Sequence, residues 1–148
     1  MLTNTLISLF ERDLKKLIAE IQLYQNESHI WRIEKNILNS AGNLTLHLIG
    51  NLNTYIGKEI GKTNYVRNRE LEFSEKNVPV KDLIEKIEDT IETIRLALSQ
   101  ITDEELNSEY PILVFSEKTS TDFFLIHLTT HLAYHLGQIN YHRRLIEN

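Results

Sequence analysis

The strongest constraint on the fold is a three- and four-residue spacing of apolar side chains that persists over long stretches. Only five glycines and two prolines interrupt the 148 residues. Residues three and four apart share one face of a helix, so the spacing predicts long amphipathic helices. The clearest windows hold Leu6, Phe10, Leu14, Leu17, Ile21 and Tyr24, then Leu44, Leu48, Leu52, Tyr55 and Ile56, then Ile84, Ile87, Ile91, Ile94, Leu98 and Ile101.

We predict four helices from these windows and from the capping residues beside them. They run over residues 2–25, from Ser40 to about Gly57 or Gly61, from Val80 to about Ile101, and from Ser120–Asp122 to about Ile146. Residues 26–39 are predicted to bend the chain. Two longer connections, 61–79 and 102–119, complete the chain. The second includes "YPILVFS", which is consistent with a short strand or with a packed extended segment. This pattern predicts an all-α four-helix bundle in one domain over residues 1–148.

Composition excludes several classes of function. The chain has no cysteine, so thiolate metal sites and cysteine nucleophiles are excluded. A net charge of −5 disfavours nucleic-acid binding, which needs a basic face. No apolar run reaches the roughly 18–20 residues that a membrane span needs, and no signal peptide is evident. We therefore expect a cytoplasmic protein that acts on a small molecule, without nucleic-acid or membrane partners.

Histidines are concentrated on one face of the last predicted helix. At about 100° per residue, the apolar positions form one arc, and a polar arc borders it. This polar arc holds His127, His131, His135, Gln138 and His142. The arc lies at the edge of the buried face, which is a typical place for the lining of an internal site.

Pairs of histidines four residues apart can direct two imidazoles at one metal ion. Two such pairs overlap, His127 with His131 and His131 with His135, so spacing alone does not choose between them. A catalytic metal usually has three protein ligands, so a third must come from another helix. His47, flanked by Asn43 and Asn51 in the second predicted helix, is the natural candidate.

The remaining histidines have simpler interpretations. We expect His29, in the irregular segment, and His142, near the end of the last helix, to be structural. His127 is equally consistent with a structural role and with a polar residue that lines the site. Several buried imidazoles without a shared ligand would be costly, which favours a metal for His47, His131 and His135 together.

Three segments of the chain resemble the DinB-like superfamily, in a branch of largely uncharacterised small proteins. They are "GNLTLHLIGNLNTYI" at 42–56, "YVRNRELEFSEK" at 65–76 and "HLAYHLGQINYHRRL" at 131–145. The resemblance implies a four-helix bundle with a long crossover between the second and third helices. It also implies zinc or nickel held by His47, His131 and His135, which removes His127 from the ligand set, and it implies a homodimer.

The resemblance also suggests an activity, because its characterised members include thiol-dependent S-transferases and isomerases. A low-molecular-weight thiol would have to supply the sulfur, since this chain has none in cysteine. Gln138 and His127 are candidates for a role in catalysis, and Arg67 and Arg69, with Tyr65, for binding an anionic cofactor. A metal-dependent hydrolase with Glu70 or Glu72 as base is one alternative. A non-enzymatic, metal-stabilised dimeric module in a stress response is the other.

Overall fold

The computed structural model describes residues 1–147, and the regular secondary structure in these residues is helical. Six α-helices occur in these residues: α1 Leu2–Gln22, α2 Ala41–Leu52, α3 Arg69–Ser74, α4 Val80–Ser99, α5 Asp103–Asn107 and α6 Thr121–Ile146. A 3₁₀ turn at Glu27–Trp31 lies between α1 and α2, and a π-helical segment, Asn53–Lys58, extends α2. No strand is present in residues 1–147. The prediction of an all-helical chain is confirmed.

The four longest helices enclose a common core. α1 packs against α4 and α6, and α2 packs against the same two helices from the other side. Their apolar faces are those that the three- and four-residue spacing predicts, and burial of these side chains is the main stabilising term. The largest fully buried side chains include Phe10, Leu14, Leu17, Leu48, Leu52, Leu83 and Phe124.

Helix α2 begins and ends for identifiable reasons. Ser40 is the predicted N-cap, and its Oγ accepts a hydrogen bond from the backbone N–H of Asn43 at 3.1 Å. After Leu52 the α-helical pattern gives way to a π-helix. There Thr54 donates its hydroxyl to the carbonyl of Gly50, and Asn53 donates to that of Ile49. Such side-chain bonds compete with the regular helical ladder. The continuous helix, first α-helical and then π-helical, ends at Lys58, close to the predicted end near Gly57.

The predicted loop over residues 61–79 contains a helix, α3, which the irregular spacing of its apolar residues does not predict. Asn68 caps α3 by accepting from the N–H of Leu71 at 3.0 Å. The other end is held by Asn43, whose Nδ2 donates to the carbonyls of Glu72 and Glu75 at 3.0 and 2.8 Å. A six-residue helix is unstable alone, so α3 depends on this contact with α2.

In the second long connection, a short strand, one of the two predicted alternatives, does not form. Only an isolated bridge between Glu109 and Ser120 pairs its two ends. Short α5 fills part of the connection, with a capping box between Thr102 and Glu105. The apolar run instead contributes Tyr110 to the core, where its hydroxyl donates to the carbonyl of Tyr55. Separately, no helix in residues 1–147 has the length and apolarity needed to cross a membrane.

Candidate metal centre

Three imidazoles, one from α2 and two from α6, approach one another, each through its Nε2 atom. His131 Nε2 lies 3.4 Å from His47 Nε2 and 3.2 Å from His135 Nε2. The ligand atoms of all three residues lie within 4.8 Å of one another. The three histidines therefore form a group that could hold a metal ion.

The antiparallel packing of α2 on α6 brings these residues together. Ring contacts pair His47 with His131 near one end and Tyr55 with Phe124 near the other, with centroids 5.2 and 5.3 Å apart. His131 and His135 are one helical turn apart, so both can face His47. The apolar stripes that drive the packing thereby also determine which histidines meet.

His47 is oriented by a buried ion pair. Its Nδ1 lies 3.1 Å from Oε1 of Glu72, which is only 6% exposed. Arg67 donates to both oxygens of the same carboxylate, at 2.8 and 3.0 Å. Burial alone would raise the pKa of Glu72, but hydrogen bonds from His47 and Arg67 outweigh it and lower the pKa. The carboxylate is therefore ionised, and it holds the Nδ1 proton of His47.

Gly50 makes the approach of Glu72 possible. A Cβ at position 50 would lie 1.9 Å from Glu72 Oε2. Glycine within a helix costs about 1 kcal/mol relative to alanine, so its presence in the middle of α2 needs a local reason. Here the reason is that the carboxylate must lie directly on the helix surface beside His47.

His135 has an orienting partner on its own helix. Its Nδ1 donates to Oε1 of Gln138, one turn further along, at 2.7 Å. When both rings are neutral, a proton on Nδ1 of His47 and of His135 leaves a lone pair on each Nε2. These two lone pairs are directed at the space that His131 Nε2 also faces.

His131 has no orienting partner. Its Nδ1 is buried and makes no hydrogen bond with the described residues. Burial lowers the pKa of His131 to about 4, and the neighbouring histidines and Arg67 contribute in the same direction. Burial likewise lowers the pKa of His135, although Gln138 partly opposes this. Both rings are therefore neutral at pH 7, which is the form that binds metals.

The residues fit a metal ion by chemistry and by spacing. Around a tetrahedral ion with metal–nitrogen bonds of roughly 2.0–2.1 Å, neighbouring nitrogens lie about 3.3–3.4 Å apart. The contacts to His131 Nε2, at 3.2 and 3.4 Å, are close to this spacing. A carboxylate or amide behind a ligating imidazole is also usual at metal sites, and His47 and His135 have these partners.

A polar cleft of about 260 Å³ opens beside the three histidines. Arg67 and Arg69, which the sequence suggests for anion binding, both line it, and so does His127. Arg67 is engaged with Glu72, whereas Arg69 is exposed and lies over the ring of Phe73. His127 contacts the ring of Phe115 edge-on and is not in the metal-binding group. The other lining residues are His47, Asn51, Tyr55, Val114, Phe124, Leu128 and His131.

A larger and more apolar groove, of about 490 Å³, is lined by His135 and Gln138. Gln138 and His135 form its polar edge. Four of its large lining side chains, Leu38, Tyr134, Tyr141 and Leu145, are at least 64% exposed. The two cavities thus involve different candidate ligands: His47 and His131 line the polar cleft, and His135 lines the apolar groove.

Other residues considered in the sequence lie away from the three imidazoles. His142 is buried between Tyr24 and the backbone of Arg32, and His29 pairs with Glu147. Tyr65 is half-buried, and burial raises its pKa, but it does not line the cleft. Glu70 is exposed and likewise does not line it.

Sequence reasoning missed how Glu72 and Gly50 serve the site. Glu72 was considered only as a possible base, whereas it orients His47. A glycine inside the helical window of α2, three residues after a histidine, was the available signal for a close contact there. Nothing local to "NRELEF" indicates which of its carboxylates would reach α2.

Comparison with known proteins gives a family but no activity. None of the curated proteins that were compared matches the chain. A family model described as "Protein of unknown function (DUF1572)" matches residues 3–148, and this range includes all three histidines, Glu72 and Gln138. The chain therefore belongs to this family of proteins of unknown function.

Proposed function

We propose that this protein is a divalent-metal-dependent enzyme on a DinB-like four-helix bundle, with His47, His131 and His135 as the ligands. One observation supports this most directly: Nε2 atoms of three imidazoles meet, and two of them present lone pairs that their partners fix. Zinc and nickel both suit an all-imidazole site. The metal-binding group among residues 1–147 has three members, which favours an open coordination position and hence catalysis.

The protein residues supply orientation and access. Glu72 and Gln138 hold two imidazoles in the tautomer that leaves Nε2 free, and Arg67 keeps Glu72 ionised. Because the three proposed ligands are neutral, they leave the charge of a cation undiminished. When bound, a divalent ion at such a site lowers the pKa of a water or thiol that it contacts.

The reaction we propose is transfer to sulfur, with a low-molecular-weight thiol as co-substrate. The thiol loses its proton, and its sulfur forms a bond to an electrophilic carbon, whose leaving group departs with the bonding electrons. His127 lines the cleft and is our candidate to receive the proton. Arg69, exposed at the same cleft, is our candidate for binding an acidic group of the thiol or substrate.

Two observations weigh against a hydrolase that uses the predicted carboxylates. Both oxygens of Glu72 accept hydrogen bonds from Arg67, and one also faces His47. Glu70 lies outside the cleft. A water activated in the cleft would therefore lack either carboxylate as general base.

Metal analysis of protein purified without a histidine tag tests the proposal. We expect about one zinc or nickel per chain in the wild type, and we expect His47→Ala and His131→Ala to lose it. His142→Ala is the matched control, since it removes an α6 histidine outside the site. Metal well below one per chain that the ligand substitutions do not change would contradict the proposal.

The reaction is tested with a panel of small thiols and monochlorobimane as electrophile. We expect metal-dependent conjugation with at least one thiol, and loss of the rate in His131→Ala. A metal-loaded protein that conjugates none of the thiols would overturn the transferase and favour the non-enzymatic module.

A further inference from the structure

Two buried polar atoms without partners lie on the same side of the three-histidine group. Asn51 is only 7% exposed, and its Oδ1 makes no hydrogen bond with the described residues. His131 Nδ1 is the other. Leaving a buried polar atom unpaired costs about 1–3 kcal/mol, so two such atoms beside one candidate site need an explanation.

Helix geometry directs the two side chains toward each other. In the antiparallel pair, His47 faces His131 and Tyr55 faces Phe124, so Asn51 lies level with the turn of α6 that precedes His131. Side chains on a helix lean toward its N-terminus. On α2 this inclines Asn51 toward the level of His131, and on α6 it inclines His131 toward the level of Asn51. Both residues line the 260 Å³ cleft.

The two atoms are not hydrogen-bonded to each other in this structure, and the tautomer of His131 decides whether such a bond can form. His47 and His135 direct Nε2 lone pairs at His131 Nε2, so the stable arrangement of these nitrogens alone has the His131 proton on Nε2. Its Nδ1 is then an acceptor, like Asn51 Oδ1, and two acceptors do not bond. A cation bound to His131 Nε2 requires the other tautomer, in which Nδ1–H is a donor.

We propose that Asn51 is a positioning residue for the metal site, whose Oδ1 accepts the hydrogen bond from His131 Nδ1–H when His131 Nε2 ligates the cation. This inference rests on the proposed metal site. It gives each ligand its own orienting oxygen: Glu72 for His47, Gln138 for His135 and Asn51 for His131. Metal binding then turns two unpaired buried atoms into one hydrogen bond.

Asn51→Leu tests the proposal, because leucine keeps the approximate size and removes the acceptor. Zinc affinity, measured by competition with a chromophoric chelator, should fall about 10-fold or more, the usual effect of losing an outer partner. The stability of the metal-free variant toward urea should stay level or rise, because an unpaired buried acceptor is gone. Asn51→Asp should restore zinc affinity, since a carboxylate accepts the same bond.

Asn53→Leu is the matched control, two residues further along the chain. Asn53 donates to the carbonyl of Ile49 and to Thr90, so its loss should lower stability and leave zinc affinity unchanged. In zinc-loaded wild type, a slowly exchanging His131 Nδ1 proton should appear in imidazole nitrogen spectra and exchange rapidly in Asn51→Leu. Wild-type zinc binding with equal affinity in Asn51→Leu would overturn this inference alone, whereas no zinc binding by wild type would overturn the proposed site.

Discussion

Two sets of histidines on α6 show opposite ways of burying an imidazole. His142 is 3% exposed and fully bonded: Tyr24 donates its hydroxyl to Nδ1 at 2.6 Å, and Nε2 donates to the carbonyl of Arg32 at 2.8 Å. His131 and His135, about three and two turns earlier, direct Nε2 atoms at each other and at His47. When protein groups hydrogen-bond both ring nitrogens of a buried histidine, its role is structural. When the ring nitrogens of several histidines instead face one another, the arrangement points to a ligand bound between them.

The largest effect should come from removing one of the three imidazoles that face one another. His47→Ala deletes one of three proposed ligands, so zinc affinity should fall by more than the ~100-fold that loss of an outer partner can cause. Competition with a chelator of known affinity measures the change. His142→Ala should keep wild-type affinity, and equal losses in both variants would abolish the distinction between the two sets.

A smaller loss should follow from displacing the partner of His47. In Gly50→Ala the new methyl group would occupy the position of the Glu72 carboxylate, which must move off α2. Zinc affinity should fall about 10- to 100-fold, as for other losses of an outer partner. Gly137→Ala is the matched control, because nothing lies within 4 Å of its added Cβ. It should add up to about 1 kcal/mol of helix stability and leave zinc binding unchanged.

The fully bonded ring should reveal itself through stability instead. His142→Leu leaves the Tyr24 hydroxyl and the Arg32 carbonyl without their partner, at about 1–3 kcal/mol for each buried group. Urea unfolding of metal-free protein measures the loss, and zinc affinity serves as the control reading. Stability equal to wild type would show that the two hydrogen bonds contribute nothing.

A last effect is a pH dependence of stability that both sets of histidines share. Burial lowers the pKa of His131, His135 and His142 below the unfolded value of about 6.5. The unfolded chain therefore binds more protons below that pH, and stability is lost as the pH falls from about 6.5 toward 4. Urea unfolding of metal-free wild type should show this slope, and His131→Gln should reduce it. An unchanged slope in that variant would contradict a buried, neutral His131.

The long helices were predictable because each has its own periodic apolar face and, for α2, a serine cap. The residues that orient the site were not, because they depend on tertiary contacts. Glu72 lies in a stretch without helical period, and only the packing of α3 on α2 brings it to His47. In the "YPILVFS" run, local propensity favours a strand that the structure does not form. A sheet needs a partner strand, and Tyr110 packs in the core instead.

Because α3 contacts α2, the local stability of α3 can report whether the candidate site holds a metal. A six-residue helix is not stable alone, so contacts with α2 govern the opening of α3. Asn43 hydrogen-bonds the carbonyls of Glu72 and Glu75, and His47 hydrogen-bonds the Glu72 side chain. A cation that fixes His47 in place also fixes the hydrogen-bond partner of Glu72. Amide hydrogens of Leu71 to Glu75 should therefore exchange with solvent more slowly as the metal is added, and their protection measures occupancy without any knowledge of the substrate.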